Sequence, residues 1–281
     1  MIGVVGTGQV AQHVLAELRR RALPHIVFSR SAAPIGESGV SVSYTVDNIP
    51  DLIREHGVTS VINCAAQRDI VACEKDPGAA VTSNVVLPTV IGQHARQVYI
   101  SSDYVFDRNE ENRPLTEHAE SKGALSIYGT TKLKGEQMAL ANGGVVARIS
   151  SPWGLYPSPF KQHFADFAIM NGGPLDLPND QIFNPTYLPD VVGTLVDFAV
   201  DTKYDGIYHL VSSGKTDWPT FAQIARKFRK NKQKVTGSAR NDKTRPMYGA
   251  LVNSRLLPFR HWMIAMEEYC RGQLAEERIK R

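Results

Sequence analysis

The apolar run "IGVV" at residues 2–5 leads directly into Gly6-Thr7-Gly8-Gln9-Val10-Ala11, a G-x-G-x-x-A turn, and no other stretch narrows the choice of fold as far. The first glycine of such a turn allows a sharp reversal. The second lets the backbone approach a pyrophosphate, and a small third residue lets the following helix pack close to the sheet. Val10, Val14, Leu15 and Leu18 then recur at helical spacing. A strand that turns at once into a helix sends the chain back across the sheet, so the next strand lies parallel to the first. The helix points its unpaired N–H groups and positive dipole end at the turn, which makes Gly6, Gly8, Gln9 and Val10 a candidate dinucleotide cradle.

The alternation continues through the first half of the chain. "HIVFS" (25–29), "VSVSY" (40–44), "VTSVINC" (58–64), "QVYISS" (97–102) and "GVVARIS" (144–150) read as strands, and "PDLIREHG" as a helix closed by a C-cap glycine. The expected fold is therefore α/β, a Rossmann-like doubly wound parallel sheet over residues 1–150. Beyond it, "SPWGLYPSPF" and "NGGPLDLPNDQIFNPTYLPD" bring Pro, Gly and aromatic residues, the texture of loops around a site. "DVVGTLVDFAV" (190–200) and "GIYHLVS" (206–212) resume a helix and a strand, so 186–212 is expected to rejoin the first domain. Residues 151–185 and 213–281 are left as a small, mainly helical substrate-binding part.

Composition excludes several classes. With 42% hydrophobic and 21% charged residues the chain has enough apolar material for a core, which argues against disorder. Much of the formal charge of +4 sits in "RKFRKNKQK" (226–234) and "EERIKR". That run is either a solvated helix face or a phosphate-attracting rim, and without interleaved aromatics on a known module it does not suggest nucleic-acid binding. No membrane-spanning run or signal peptide is legible, so a cytoplasmic protein is expected. Cys64, Cys73 and Cys270 lack the spacing of a disulfide framework or a zinc site, and no metal is expected.

Two further patterns carry chemistry. Strand 2 ends in Ser29-Arg30, where a protein that prefers NAD usually places an acid on the ribose 2′-hydroxyl. A serine and an arginine suit a 2′-phosphate instead, so NADPH is the expected cofactor, with NADH left open; an arginine merely solvated in a loop is the competing reading. In "SIYGTTKLKGE", Tyr128 and Lys132 stand four residues apart, on one face of a helix. A ketone accepting hydride needs a proton donor at its oxygen. A phenol of pKa about 10 serves better when an ammonium lowers that value. Ser102, at the carboxyl end of a parallel strand, lies where open sheets bind ligands.

"VINCAAQRDIVACEKDP", "YISSDYVFD", "YGTTKLKGE", "FNPTYLPD" and "RPMYGALVNSRL" occur in the order and spacing of the extended short-chain dehydrogenase/reductases, and within them the chain most closely resembles the dTDP-4-dehydrorhamnose reductase family. The resemblance covers nearly the whole chain. It implies reduction of a nucleotide-diphosphate 4-keto-6-deoxysugar by a nicotinamide cofactor, dTDP-4-dehydrorhamnose giving dTDP-L-rhamnose. It makes Ser102, Tyr128 and Lys132 the catalytic trio, puts Lys132 on the nicotinamide ribose, and lays Asn63, Ala65 and Ala66 beside the cofactor. Asn84 corresponds to a structural asparagine. Substrate contacts carried over by the resemblance are Ser102, Asp103, Tyr104, Trp153, Asn184 and Thr186, beside Pro185, together with Arg245. For Asp103 a loop cap, for Trp153 a core position and for Arg245 simple exposure are the competing readings.

The pattern also departs from the family. The glycine turn is one residue shorter than G-x-x-G-x-x-G and its third glycine is Ala11. Glutamates that hold a bridging magnesium in some members fall here at His13, read as a surface polar residue, and Pro189, so the resemblance implies no metal-bridged dimer. Monomer and homodimer both stay open. Two other readings compete: another nucleotide-sugar 4-ketoreductase or epimerase, and a non-catalytic NADP-binding regulatory subunit. The intact trio speaks against the latter.

Overall fold

The computed structural model describes residues 1–30, 41–107, 109, 112–155, 168 and 172–279, with side chains in the last helix described through Gly272. Seven parallel strands form the central sheet in the order β3-β2-β1-β4-β5-β6-β8. They are β1 (Ile2–Val5), β2 (His25–Ser29), β3 (Val42–Ser43), β4 (Ser60–Asn63), β5 (Arg96–Ser102), β6 (Val145–Ile149) and, late in the chain, β8 (Gly206–His209). β1 pairs with β2 on one side and β4 on the other, so the strand order reverses there. That reversal opens the crevice in which doubly wound sheets bind ligands.

Both faces of the sheet are covered because its strands are apolar on both sides. On one face α1 (Gln9–Arg20) sets Val14, Leu15 and Leu18 against Val4, Ile62 and Val98. Leu195 and Val196 of the later helix Leu188–Val200 join the same cluster. On the other, α2 (Ile49–Glu55) and α5 (Leu87–His94) bring Ile49, Ile53, Leu87 and Ile91 onto Val5, Phe28 and Val61. Between them run α3 (Ile70–Lys75), α4 (Pro77–Val81) and a π-helical turn, Thr82–Val86. Next come α6 (Ile127–Ala141) and α7 (Leu188–Val200). α7 starts two residues earlier than its apolar pattern indicates, with Pro189 in its first turn, where a missing N–H costs no bond.

The remaining part holds α8 (Trp218–Phe228) and α9 (Trp262–Ile279), and also two parallel strand pairs that apolar periodicity had not revealed. β7 (Leu175–Pro178) pairs with β10 (Val235–Ser238), and β9 (Ser212–Ser213) with β11 (Phe259–His261). These strands are two to four residues long and lie outside the strand–helix alternation of the first half. An aromatic cluster of Trp153, Phe183, Tyr187, Phe221, Trp262 and Tyr269 forms the core of this part. Strand 40–44 shrinks to Val42–Ser43 at the sheet edge, residue 40 lying outside the described residues. Among the described residues no helix is long and apolar enough to cross a membrane.

Candidate active site

The glycine turn sits at the carboxyl end of β1, facing the crevice. Gly6 has φ of +104°, and a Cβ there would lie 3.2 Å from the Ala65 nitrogen, so this position needs glycine on both counts. A Cβ at Gly8 would meet no atom within 4 Å, which leaves open space where a phosphate approaches. Gly8 caps α1 without a side-chain hydrogen bond and the first turn holds no acid, so the dipole end stays available to an anion. Asn63 is buried, and its Nδ2 donor has no protein partner although Oδ1 accepts from the Ala65 N–H at 3.2 Å. An orphaned buried donor beside an open glycine fits a dinucleotide. Gln9 is buried, Val10 and Ala65 half-buried, Ala66 exposed. At the end of β2, Ser29 is turned inward onto the Ser41 hydroxyl at 2.6 Å, so of the expected pair only Arg30 is exposed to a ligand.

Ser102 closes β5, and its hydroxyl donates to Asp103 Oδ1 at 2.8 Å. Ser150, at the end of β6, donates to the other carboxylate oxygen at 2.9 Å. Asp103 is thus buried between two strand ends, and burial lifts its carboxyl to about 6. α6 brings Tyr128 to the same place, where the Ser102 side chain acts on its phenol. Two glycines of that helix, Gly129 in its first turn and Gly135 in its interior, explain its position. A Cβ on Gly129 would fall 2.1 Å from the Tyr104 carbonyl, and one on Gly135 would fall 2.2 Å from both the Asn84 carbonyl and the Tyr99 hydroxyl. Helices disfavour glycine, so these two mark a close crossing.

The electrostatics differ from the expectation. Burial holds the Tyr128 phenol above its ordinary value; Ser102 and the positive charge of Arg68 oppose this, while Asp103 and Tyr104 add to it. The Lys132 amine makes its hydrogen bond elsewhere. Its ammonium is buried, donates to the Ile100 carbonyl at 2.5 Å and lies 3.9 Å from the centre of the Tyr99 ring. Burial pulls it down to about 7, against the pull of Glu136. A side chain four residues along a helix shares a face, but its tip goes wherever the nearest acceptor stands.

Tyr104 meets Tyr128 edge-on at 5.6 Å, and its hydroxyl accepts from Arg245 Nη1 at 2.6 Å. Arg245 also donates to Asp242 at 3.0 Å. With Trp218, Gln181 and Arg240 it lines a cleft of about 260 Å³. The structure does not bring Trp153, Asn184 or Thr186 to this surface. Trp153 is buried among Tyr187, Phe221 and Tyr269, with ring centres 4.6 to 6.0 Å away, and only its edge reaches a small apolar pocket beside Pro185. Asn184 is buried and splices segments together, donating to the Gly214 carbonyl at 2.8 Å and accepting from the Leu251 N–H at 2.6 Å. Thr186 is fully buried. His13 is buried too, not on the surface: it accepts the Leu155 N–H at 3.0 Å and contacts the Gln9 carbonyl at 2.8 Å.

Three contributors escaped sequence reasoning. Arg68 is exposed, and its charge acts on the Tyr128 phenol. Ser150 holds Asp103, and the Glu136–Arg148 pair lies behind Lys132. Asn84 in the π turn clamps the loop bearing Arg68, accepting from the Gln67 N–H at 2.9 Å and donating to Thr131 on α6 at 3.0 Å. The glycines of α6 were the available signal, since they announce a helix pressed against other backbone.

Residues 2–271 match the family described as RmlD substrate binding domain. The chain belongs to this family. It is, accordingly, an NAD(P)-dependent oxidoreductase of the extended short-chain type. A dTDP-4-dehydrorhamnose reductase of Mycolicibacterium smegmatis is 30% identical over 74% of this chain and 68% of that protein. A probable dTDP-4,6-dihydroxy-2-methyloxan-3-one 4-ketoreductase of Streptomyces antibioticus is 28% identical over 80% of this chain and 81% of its own length. In structure, a dTDP-4-dehydrorhamnose reductase of Bacillus anthracis solved in complex with NADP superposes with a TM-score of 0.84 at 22% identity, covering 96% of this chain and 98% of the other.

Proposed function

We propose that the protein is an NADPH-dependent reductase of the 4-keto group of a nucleotide-diphosphate 6-deoxysugar, with dTDP-4-dehydrorhamnose as substrate and dTDP-L-rhamnose as product. The observation that carries this reading is the gathering of Ser102, Asp103 and a Tyr128 held protonated by burial at the ligand-binding end of the sheet. NADPH, when bound, supplies the hydride. Gly6, Gly8 and the first turn of α1 would hold its pyrophosphate, Asn63 would give its orphaned amide to the bound cofactor, and Arg30 would meet a 2′-phosphate.

In this reading the Ser102 hydroxyl turns from Asp103 to the substrate carbonyl. Tyr128 delivers its proton to the oxygen as negative charge develops there. A phenol that keeps its proton at neutral pH is in the state an acid requires, and the Arg68 charge favours the phenolate left behind. Lys132 supplies a second positive charge beneath the site. Arg245 and Arg240 in the neighbouring cleft suit a diphosphate.

The test follows NADPH oxidation with dTDP-4-dehydro-L-rhamnose, comparing the natural protein with Tyr128→Phe. Loss of about a hundredfold or more of turnover with NADPH still bound is expected for removal of a general acid. Undiminished turnover in the variant would remove Tyr128 from the mechanism. The Streptomyces relative favours a second reading, a 4-ketoreductase of a different dTDP-sugar. A natural protein that binds NADPH, ignores dTDP-4-dehydro-L-rhamnose and reduces another 4-ketosugar would establish that reading instead.

A further inference from the structure

Directly behind Lys132, one turn further along α6, lies a buried ion pair that the proposed reaction does not use. Glu136 is 1% exposed and Arg148, on β6, 3%. The two meet as parallel hydrogen bonds, Arg148 Nε to Glu136 Oε1 at 2.8 Å and Nη2 to Oε2 at 2.7 Å. Arg148 lies 4.8 Å from the centre of the Phe106 ring, and its Nη1 stands 3.4 Å from His209 Nε2. His209 contacts the Val252 carbonyl through Nδ1 at 3.0 Å, which leaves Nε2 to accept from Arg148. Burial and the Arg148 charge pull this imidazole down to about 4, so it stays neutral. Glu117 anchors the far end, accepting from the His209 N–H at 3.0 Å and the Ser254 hydroxyl at 2.6 Å.

A buried pair of this kind adds little net stability, because desolvating two charges offsets most of their attraction. It needs another reason to be there. The groups around Lys132 are Tyr99 from β5, Cys64 just past β4 and, one turn to either side on its own helix, Tyr128 and Glu136. Burial lifts the Cys64 thiol to about 12 and holds Tyr99 well above its ordinary range, so both are neutral. Tyr128 keeps its proton as well. Glu136 is therefore the one full negative charge among these neighbours, and Arg148 holds its carboxylate in a single geometry.

Building on the reductase reading of Lys132, we propose that the Glu136–Arg148 pair is a positioning element that keeps the Lys132 amine charged and in place under the catalytic tyrosine. Arg148 fixes the carboxylate and Glu136 supplies the field. Without that field, a lysine this deeply buried sheds its proton more readily, since desolvation alone favours the neutral amine.

The test reads the charge directly, with no substrate. Lysine ε-carbon NMR of the full chain is followed against pH, the Lys132 signal being assigned by its loss in Lys132→Met. Glu136→Gln leaves Arg148 charged and unpaired in the interior and risks unfolding, so the pair Glu136→Leu/Arg148→Met, which removes both charges, accompanies it. The expected Lys132 midpoint falls by about one pH unit or more, a tenfold change in ionisation, in every Glu136 variant that folds. In Arg148→Met, which keeps the carboxylate, it stays at or above the natural value. An unchanged midpoint in the Glu136 variants, or an equal fall in Arg148→Met, overturns the proposal. A purely structural role would lower melting temperature without ordering the midpoints this way. The alkaline limb of NADPH oxidation should shift with the NMR midpoint, and a limb that stays put while the midpoint moves also overturns the positioning role. Ordered midpoints in a protein that reduces no 4-ketosugar would sink the reductase reading and leave the charge coupling standing.

Discussion

Asp103 shows how a single residue at this site costs stability for the sake of its position. Its carboxyl is buried between Ser102 and Ser150 and lifted to about 6, whereas in an unfolded chain an aspartate titrates near 3.9. The folded protein therefore holds a proton that the unfolded chain releases first. This contribution to stability is present at low pH and is lost as pH rises from about 4 through 6. Asp103→Asn, whose amide can still bond both serines, is expected to be more stable than the natural protein by roughly 1–2 kcal/mol above pH 6, with the gain vanishing below about pH 4. Urea titrations at the two ends of that range check it; an equal effect at both would mean packing, not ionisation, decides. Ser102 was legible as a strand-end hydroxyl, but Ser150 was not. Its role exists only because β5 and β6 are neighbours, joined Ser102 to Ile149, which is a fact about pairing and not about either segment.

At the scale of elements, α1 and α6 each depend on glycine for a different reason. Gly135 stands where Asn84 and Tyr99 leave no room for a methyl group, while Gly8 has nothing within 4 Å. Gly135→Ala is expected to destabilise by at least about 2 kcal/mol through overpacking, although alanine is the better helix former. Gly8→Ala should leave the melting temperature unchanged and weaken NADPH binding about tenfold or more, since the added methyl group occupies the path of the pyrophosphate. Thermal melts and cofactor titrations of both variants separate the two effects, and a Gly8→Ala protein that binds NADPH normally would remove the cradle assignment. The helix and strand signals of the first half were readable because apolar strands and amphipathic helices alternate there in regular order. β7, β9, β10 and β11 were not, because they lie outside that alternation and their pairing is set by loops that cross the chain.

Across the whole molecule, two cores are joined at the site: the sheet with its helices, and the aromatic cluster around Trp153 and Trp262. Arg226 braces a smaller cluster beside the second, formed by Ala168, Leu175, Leu177 and Ala222. It is buried and donates to the carbonyls of Ala168, Gly173, Gln233 and Lys234 at 2.8 to 3.1 Å, so one cation closes several loop backbones at once. Arg226→Met is expected to cost about 2–4 kcal/mol. It should raise KM for the sugar nucleotide several-fold while NADPH affinity stays within twofold; parallel loss of both would mean the two cores are not separable. The basic run 226–234 thus begins with a buried structural arginine, a distinction charge patterning does not make. By itself the sequence determined the parallel sheet, the glycine turn that opens α1 and the residue types of the proposed trio, because strand, glycine turn and helix obey local rules of spacing and conformation. Only the tertiary structure decided that Lys132 turns to the Ile100 carbonyl, that Trp153, Asn184 and Thr186 belong to the interior, and that Glu136 and Arg148 meet behind the lysine. Those outcomes depend on which distant atoms burial brings within hydrogen-bond reach, and spacing along a chain does not contain that information.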